Sequence, residues 1–427
     1  MIATAATKTL PPPTHSREHW IRLRDEAARM IDEVPLYSGR TPPPAGDEPT
    51  AIAAWLASLP TIAKRDLRRG FPKSLVRKSC DLKDAMQKGL VEIIATSGTT
   101  ENRLQVLWEW SWWDPQEREA MRLNARVDEA MRDGFREAVL TTPVCGGSTC
   151  HIGTLSREER TIDGMLFLNQ VADPTLWNDG ELTRMVAEWN DLRPDGVESD
   201  PQYLAALCRH ALAHKIAMHA PAFVTLTYEQ TTRAASRSIK EALPSTHVCQ
   251  LYGATEAGVL FMECPAGRLH HNARHSHIEL VDAGGGLSRV VITTLGRTWM
   301  PLLRYDIGDL VRLPETTIDG CACGRKDEGY VLSRIEGRGN DAIATANGLY
   351  TPAMLDDLVD GAEPAIAHWQ LTGGGPEGGW ILHVVASDGT KAAAALADKL
   401  GTKVEPRATT TILPEPSGKY RMVRPQG

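Results

Sequence analysis

The chain has 427 residues, 42% hydrophobic and 24% charged, a length that calls for more than one core and a composition of folded domains. Lys+Arg 47 against Asp+Glu 54 gives a formal net charge of −7 with basic residues scattered, which argues against nucleic acid as a partner. No apolar run of about 18 residues exists to cross a bilayer, and eight cysteines, several in apolar settings, fit a reducing compartment, so a cytoplasmic protein with no membrane partner is expected.

The first fifteen residues, with Pro11–Pro13, read as disordered and carry no apolar leader core. Helical spacing then predicts a helix over Arg17–Asp32. A polar, proline-rich stretch (41–50) leads to a second helix over Ala51–Leu59. Val91–Ala95 reads as a short strand running into the small-residue turn Thr96, Ser97, Gly98, Thr99, Thr100. Several N–H groups can face one point there, which suits a polyphosphate. The tryptophans from Trp108 to Trp113 read as a half-buried strand and a helix start, and a charged amphipathic helix is expected over 114–134.

From 139 to 227 apolar runs alternate with helical patterns, which predicts α/β layers. The strands are 138–142, 164–168 and 222–226; the helices are 182–192, 201–215 and 230–243. A further strand, Val248–Leu251, delivers Tyr252, Gly253, Ala254, Thr255 and Glu256 at its carboxyl end, where open α/β sheets bind ligands. The texture is β-rich from His277 to Val311. Beyond a boundary near Arg338–Asp341 come a helix (352–359), a strand (380–385), a helix (391–400) and a polar tail, with 373–379 as a hairpin turn. The expected fold class is therefore α/β, with a large multi-layer N-terminal domain (1–338) and a small mobile α+β C-terminal lid domain (339–427).

The recurrent segments carry one consistent chemistry. A carboxylate is a poor electrophile until it attacks the α-phosphorus of ATP and becomes an acyl-AMP, whose leaving group is AMP. Thr96–Thr100 offer hydroxyl and backbone donors to phosphates. Glu256 can ligate Mg²⁺, a hard cation that prefers oxygen, and Thr255 lies beside it for the α-phosphate. Tyr252 can pack on adenine; Asp309 can accept from both ribose hydroxyls, with Arg338 as a second contact. Lys419 is a point charge able to bridge carboxylate and α-phosphate. Each segment alone reads more simply as a turn or a frayed end; their ordered co-occurrence shifts the balance.

A separate group, Cys264, His270, Cys321 and Cys323, supplies four ligands for structural Zn²⁺, with His271, His275 or His277 as substitutes for His270. The glycine turn Cys145, Gly146, Gly147, Ser148 after a strand, together with Ala254, is the expected substrate wall.

These segments resemble the core motifs of the acyl-adenylate-forming superfamily, in its phenylacetate–CoA ligase-like branch, over nearly the whole chain. Met300–Asp309 is similar to that branch's ribose motif, and 30–40 and 59–72 look like its N-terminal helices. The resemblance implies a small C-terminal domain that swings between an adenylation pose, served by Lys419, and a thioester-forming pose, with Asn340 at the pivot. It also implies Glu229 beside the nucleotide and coenzyme A as co-substrate. Two segments and the pivot depart from the family pattern, Asn340 standing where aspartate or lysine is commoner. Glu101-Asn102-Arg103 follows the phosphate turn where glycine and proline are usual, and Thr227–Gln230 keeps only the glutamate of its motif.

The expectation is thus an ATP- and Mg²⁺-dependent ligase that adenylates an aromatic or short acyl acid and passes it to a thiol, with a homodimer as one option for assembly. The alternatives are loading of a carrier protein's phosphopantetheine or an amine, and a non-catalytic, zinc-stapled nucleotide-binding protein.

Overall fold

The computed structural model describes residues 9–10, 13, 15–96, 103–131, 135–141, 155–170, 174–314, 321–326, 328–374, 378–386 and 388–425. They fall into two compact units, one gathering 1–96, 100–125 and 251–334 and the other 97–99, 126–250 and 335–427. The strand His247–Ala254 passes from the second unit to the first after Gln250, and the chain crosses back between Arg334 and Ile335.

In the second unit the strands Glu137–Leu140, Met165–Phe167, Gly196–Ser199, Phe223–Leu226 and the first half of His247–Ala254 pair in parallel. Their order is 165–167, 137–140, 196–199, 223–226, 247–254, with Thr161–Ile162 antiparallel at the outer edge. Phe223–Leu226 is buried at every position, as expected of a parallel strand covered on both faces. The covering helices are Asp179–Leu192, Pro201–Ala213 and Arg233–Ala242. Each begins where the sequence supplies an oxygen to its first free N–H groups: Asn178, Asp200 and Thr232 all accept from the first turn. Trp189, Tyr203, Leu207, Val197 and Val224 lie in the core between them.

The same unit holds a C-terminal α+β layer. His368–Gly373 and Trp380–Val385 form an antiparallel hairpin, with Val404–Ala408 and Val423–Arg424 added in parallel on its two sides. Helices Pro352–Ala362 and Thr390–Leu400 pack on it around Leu355, Trp369, Leu371, Leu382 and Leu396. The last two strands were not expected: both are short edges, and Val404–Ala408 contains a proline that only an edge tolerates.

The first unit contains the helices Arg17–Glu33 and Pro49–Ser58 and the hairpin Glu92–Ala95/Gln105–Trp108. The rest of His247–Ala254 pairs antiparallel with Gly258–Glu263, which pairs with Leu269–His271, and Ser276–Gly284, Leu287–Thr294 and Tyr305–Arg312 form a meander. Two expectations fail here. The long helix over 114–134 is instead Trp110–Met121 and Ala125–Ala130, broken where the Asn124 side chain donates to the Glu263 carbonyl at 2.7 Å. The first fifteen residues are not uniformly loose: Thr9 bridges to Val281, Leu10 N–H donates to the Leu280 carbonyl, and His15 is buried. No helix among the described residues is long and apolar enough to cross a membrane.

Candidate functional site

Glu256 sits in the turn between His247–Ala254 and Gly258–Glu263, and that turn is fixed from several sides. Gly258, at φ +85°, lets the chain reverse under the helix Trp110–Met121; a Cβ there would lie 2.7 Å from Trp112. Gln116 accepts from the next N–H, that of Val259, at 2.7 Å. Arg297, fully buried, donates to the Glu256 carbonyl and to that of Leu107, with its guanidinium 4.9 Å over the Trp112 ring. Burial lowers the Arg297 pKa to about 10, with Glu109 and Glu256 opposing, so it stays charged at neutral pH. The Glu256 carboxylate is itself buried, and its Oε1 accepts from the Tyr305 hydroxyl at 2.7 Å. Thr255 and Ala254 beside it are half-buried and Gly253 is exposed.

Asp309 lies on the same strand as Tyr305, Tyr305–Arg312, in a bulge. Leu310 and Asp306, four residues apart, oppose Arg289 and Val291, two apart. The segment between them loops outward with Gly308 at φ +86°, which presents the Asp309 carboxylate off the sheet. Its Oδ2 accepts from the Tyr252 hydroxyl at 2.6 Å. Tyr252, expected against adenine, thus makes its polar contact with the expected ribose ligand.

Thr96 is buried, and its hydroxyl accepts from Leu104 N–H at 3.0 Å. The other residues of that turn (Ser97, Gly98, Thr99, Thr100) and the expected substrate wall (Cys145, Gly146, Gly147, Ser148) lie outside the described residues.

In the second unit the loop bearing Lys419 is seated by its neighbours. The Tyr203 hydroxyl donates to the Gly418 carbonyl at 3.0 Å, and Tyr420 N–H donates to Glu229 Oε2 at 2.6 Å. Asp200 and Glu229 follow the adjacent parallel strands Gly196–Ser199 and Phe223–Leu226 at their carboxyl ends. Burial pushes Asp200 up to about 7, against N–H groups of Tyr203 and Gln202 and the Lys419 charge. Burial, reinforced by Asp200, raises Glu229 well above the usual carboxylate range, while Tyr420 N–H and Lys419 pull it down. The Lys419 charge therefore acts on both buried carboxyls. Arg338 is exposed at the end of Arg334–Arg338, and Asn340, also exposed, lies in the 3-10 turn Gly339–Asp341. Asp341 in that turn is paired with Arg421.

Cys264, His270, Cys321 and Cys323 come together in the first unit, each offering a ligand atom within 4.8 Å of the others. Cys264 Sγ is 3.6 Å from Cys321 Sγ, and Cys323 Sγ is 3.5 Å from His270 Nε2. A disulfide would need about 2.05 Å between sulfurs, whereas sulfurs about 2.3 Å from one tetrahedral ion stand roughly 3.8 Å apart. Tight turns frame the cysteines: Gly267 N–H donates to the Cys264 carbonyl and Gly324 N–H to that of Cys321. Burial pushes the Cys264 thiol up to about 12. For Cys321 burial also acts upward, but hydrogen bonds from the Cys323 backbone and from His270, Cys323 and Cys264 bring it down to about 7. The donors, spacing and turns fit Zn²⁺, and His270 rather than its substitutes is the histidine present.

Sequence reading missed Tyr305, Arg297, Asp200 and Tyr203. Tyr305 stood inside the motif that flagged Asp309, so proximity could have found it. Asp200 before Pro201 signals only a helix cap, and nothing local marks Arg297 or Tyr203, whose partners are 41 and 215 residues away. A second histidine group was also missed: His15, His19 and His277 are buried together. Burial holds all three imidazoles below their ordinary pKa, His19 at about 3.

No protein-family model matches the chain. It is 25% identical over 377 residues to a phenylacetate–coenzyme A ligase of Thermus thermophilus, covering 82% of this chain and 76% of that protein. A phenylacetate–coenzyme A ligase of Pseudomonas putida is 24% identical over 367 residues, covering 80% and 75%. The fold matches the crystal structure of 2-hydroxyisobutyryl-CoA ligase in the postadenylation state with 2-HIB-AMP, at a TM-score of 0.70 and 17% identity over 98% of this chain and 94% of that one.

Proposed function

We infer the activity of this chain from its family: it is a phenylacetate–CoA ligase-like member of the acyl-adenylate-forming superfamily, and it activates a carboxylic acid as acyl-AMP at the expense of ATP before passing the acyl group to coenzyme A. One observation carries the reading. The loop bearing Lys419 returns to the carboxyl ends of parallel strands and is seated there on Glu229 and Tyr203.

In the first step a substrate carboxylate oxygen bonds to the α-phosphorus as the bond to pyrophosphate breaks. Lys419 neutralises charge on the carboxylate and α-phosphate as it builds. Thr255 and the turn Thr96–Thr100 are the donors assigned to the phosphates. Glu256 supplies a hard oxygen suited to Mg²⁺ carried by the triphosphate, with Tyr305 holding its other oxygen in place. Asp309, Tyr252, Gly253, Glu229 and Arg338 hold the nucleoside. In the second step a thiolate bonds to the acyl carbon and AMP departs with its electron pair. Residues 339–427 act as a lid pivoting at Asn340, so that one site first excludes water and then admits the thiol. Cys145, Gly146, Gly147, Ser148 and Ala254 are assigned to recognition of the acid, an aromatic or short acyl group. Cys264, His270, Cys321 and Cys323 would hold Zn²⁺ as a structural staple.

Acid-dependent exchange of pyrophosphate into ATP, run across aryl, short aliphatic and amino acids, tests the first step. Exchange with an aryl or short acyl acid, followed by release of a thioester only when coenzyme A is present, is expected. No exchange with any acid would overturn the reading. Exchange without thioester formation would redirect the second step to a carrier protein or an amine.

A further inference from the structure

Outside the nucleotide and cysteine groups, the first unit buries three imidazoles against one another. His15 and His19 stack in parallel, with centroids 3.8 Å apart and planes 5° from coincident. His277, on the strand Ser276–Gly284, faces them from the sheet, its Nδ1 3.1 Å from His19 Nε2. The His15 side chain is fully buried, and among the described residues its ring nitrogens make no close hydrogen bond; the Glu328 carboxylate, 3.6 Å from Nδ1, is its ionic neighbour. Burying an imidazole whose nearest described polar neighbour is a carboxylate 3.6 Å away is unfavourable, so its placement asks for an explanation.

The Glu328 carboxylate supplies a direction. Its Oε2 lies 3.6 Å from His15 Nδ1 and 3.7 Å from His19 Nδ1, while Oε1 is anchored by Ser16 N–H at 3.1 Å. A carboxylate on the Nδ1 side of both rings favours the proton there, so that both Nε2 atoms carry lone pairs. That is the usual role of an outer carboxylate behind metal-bound histidines. The lone pair of His19 accepts from His277 Nδ1–H, a proton that a metal ion would displace. The 3.1 Å between His19 Nε2 and His277 Nδ1 is also close to the roughly 3.3 Å expected of two nitrogens bound about 2.0 Å from one tetrahedral ion. His271, its Nε2 paired with Ser276 at 2.9 Å, lies behind the group.

We propose that His15, His19 and His277 form a second metal site, binding a borderline divalent ion of the Zn²⁺ class through His15 Nε2, His19 Nε2 and His277 Nδ1, with Glu328 orienting two of the rings. Imidazole donors without sulfur or carboxylate in direct contact select this class over Mg²⁺ or Ca²⁺. Binding turns the His15 ring out of the stack so that its lone pair meets the point the other two share. The ion ties the start of the helix Arg17–Glu33 to a strand more than two hundred residues later in the chain. A cross-link closing so long a loop restrains the unfolded chain strongly.

Cobalt(II) loading of the full chain tests this, because thiolate ligands give intense near-ultraviolet charge-transfer absorption and imidazoles do not. A Cys321→Ser/Cys323→Ser variant should retain about one equivalent of cobalt with weak visible bands and no charge transfer, lost when His19→Gln is added. Should that variant not fold, wild type and His15→Asn are compared directly. Cobalt content then falls by about one equivalent while the charge-transfer band is unchanged. Wild-type cobalt fully accounted for by the thiolate band, or loss of that band with the histidine substitution, would overturn the proposal.

Discussion

At the scale of single residues, the side chains of the proposed site are held by partners remote in sequence, and those partners make the sharpest tests. Tyr305→Phe deletes the hydrogen bond to Glu256 Oε1 while keeping the ring in place. A bond to a charged acceptor is worth about 1.5–3 kcal/mol, so adenylation should slow by roughly 10- to 100-fold. Pyrophosphate exchange should also need more Mg²⁺; an unchanged Mg²⁺ dependence would leave Tyr305 as mere packing. Asp200 gives a pH test. Its folded pKa of about 7 stands above the unfolded value near 3.9, so the protein binds this proton more tightly when folded. The stability contributed is fully present below about pH 4 and is lost as pH rises through about 7. Asp200→Asn keeps the Oδ1 cap on Gln202 and Tyr203 without the titration. In thermal melts, wild type should therefore lose several degrees relative to the variant between these limits. A parallel pH profile for both proteins would contradict this.

At the scale of elements, turns and bulges matter more than the regular strands they interrupt. The bulge at 307–309 carries Asp309, half-buried beside the Tyr252 hydroxyl, and the reversal at Gly258 follows Glu256. The Cys321–Gly324 turn belongs to the same category, since it places two sulfurs beside Cys264 and His270. Cys321→Ser should cost the chain its thiolate-bound zinc and lower its melting temperature, because zinc binding is folding free energy at such a site. Elemental analysis together with a melt checks both; zinc content equal to wild type would remove the assignment. The alternation of strands with helices from 137 to 254 was legible because parallel strands read as apolar runs and their helices carry explicit caps at Asn178, Asp200 and Thr232. The edge strands Val404–Ala408 and Val423–Arg424 were not legible, since a two- to five-residue edge lacks both periodicity and burial on two faces.

At the scale of the molecule, one short edge strand fixes the segment that carries Lys419. Val423–Arg424 adds to His368–Gly373 immediately after the Lys419 loop, so the end of the chain is pinned on both sides of the lysine. Lys419→Ala should lower adenylation by about 10²- to 10³-fold, the scale of removing a charge-stabilising donor. Thioester formation from supplied acyl-AMP should stay within a few-fold of wild type. Equal losses in the two half-reactions, measured separately, would refute that division of labour. The sequence by itself carried the α/β class, the order of the motifs with Glu256, Asp309 and Lys419 as their proposed chemical members, and the four cysteine and histidine donors that the fold brings together, because each depends on residue type and local spacing. Only the tertiary structure decided that Tyr305 holds Glu256, that Asp200 stands with Glu229 by Lys419, and that three histidines from the two ends of one unit are buried together. Those facts arise where strands and loops far apart in the chain are packed side by side, and no local pattern records which distant side chain fills the space.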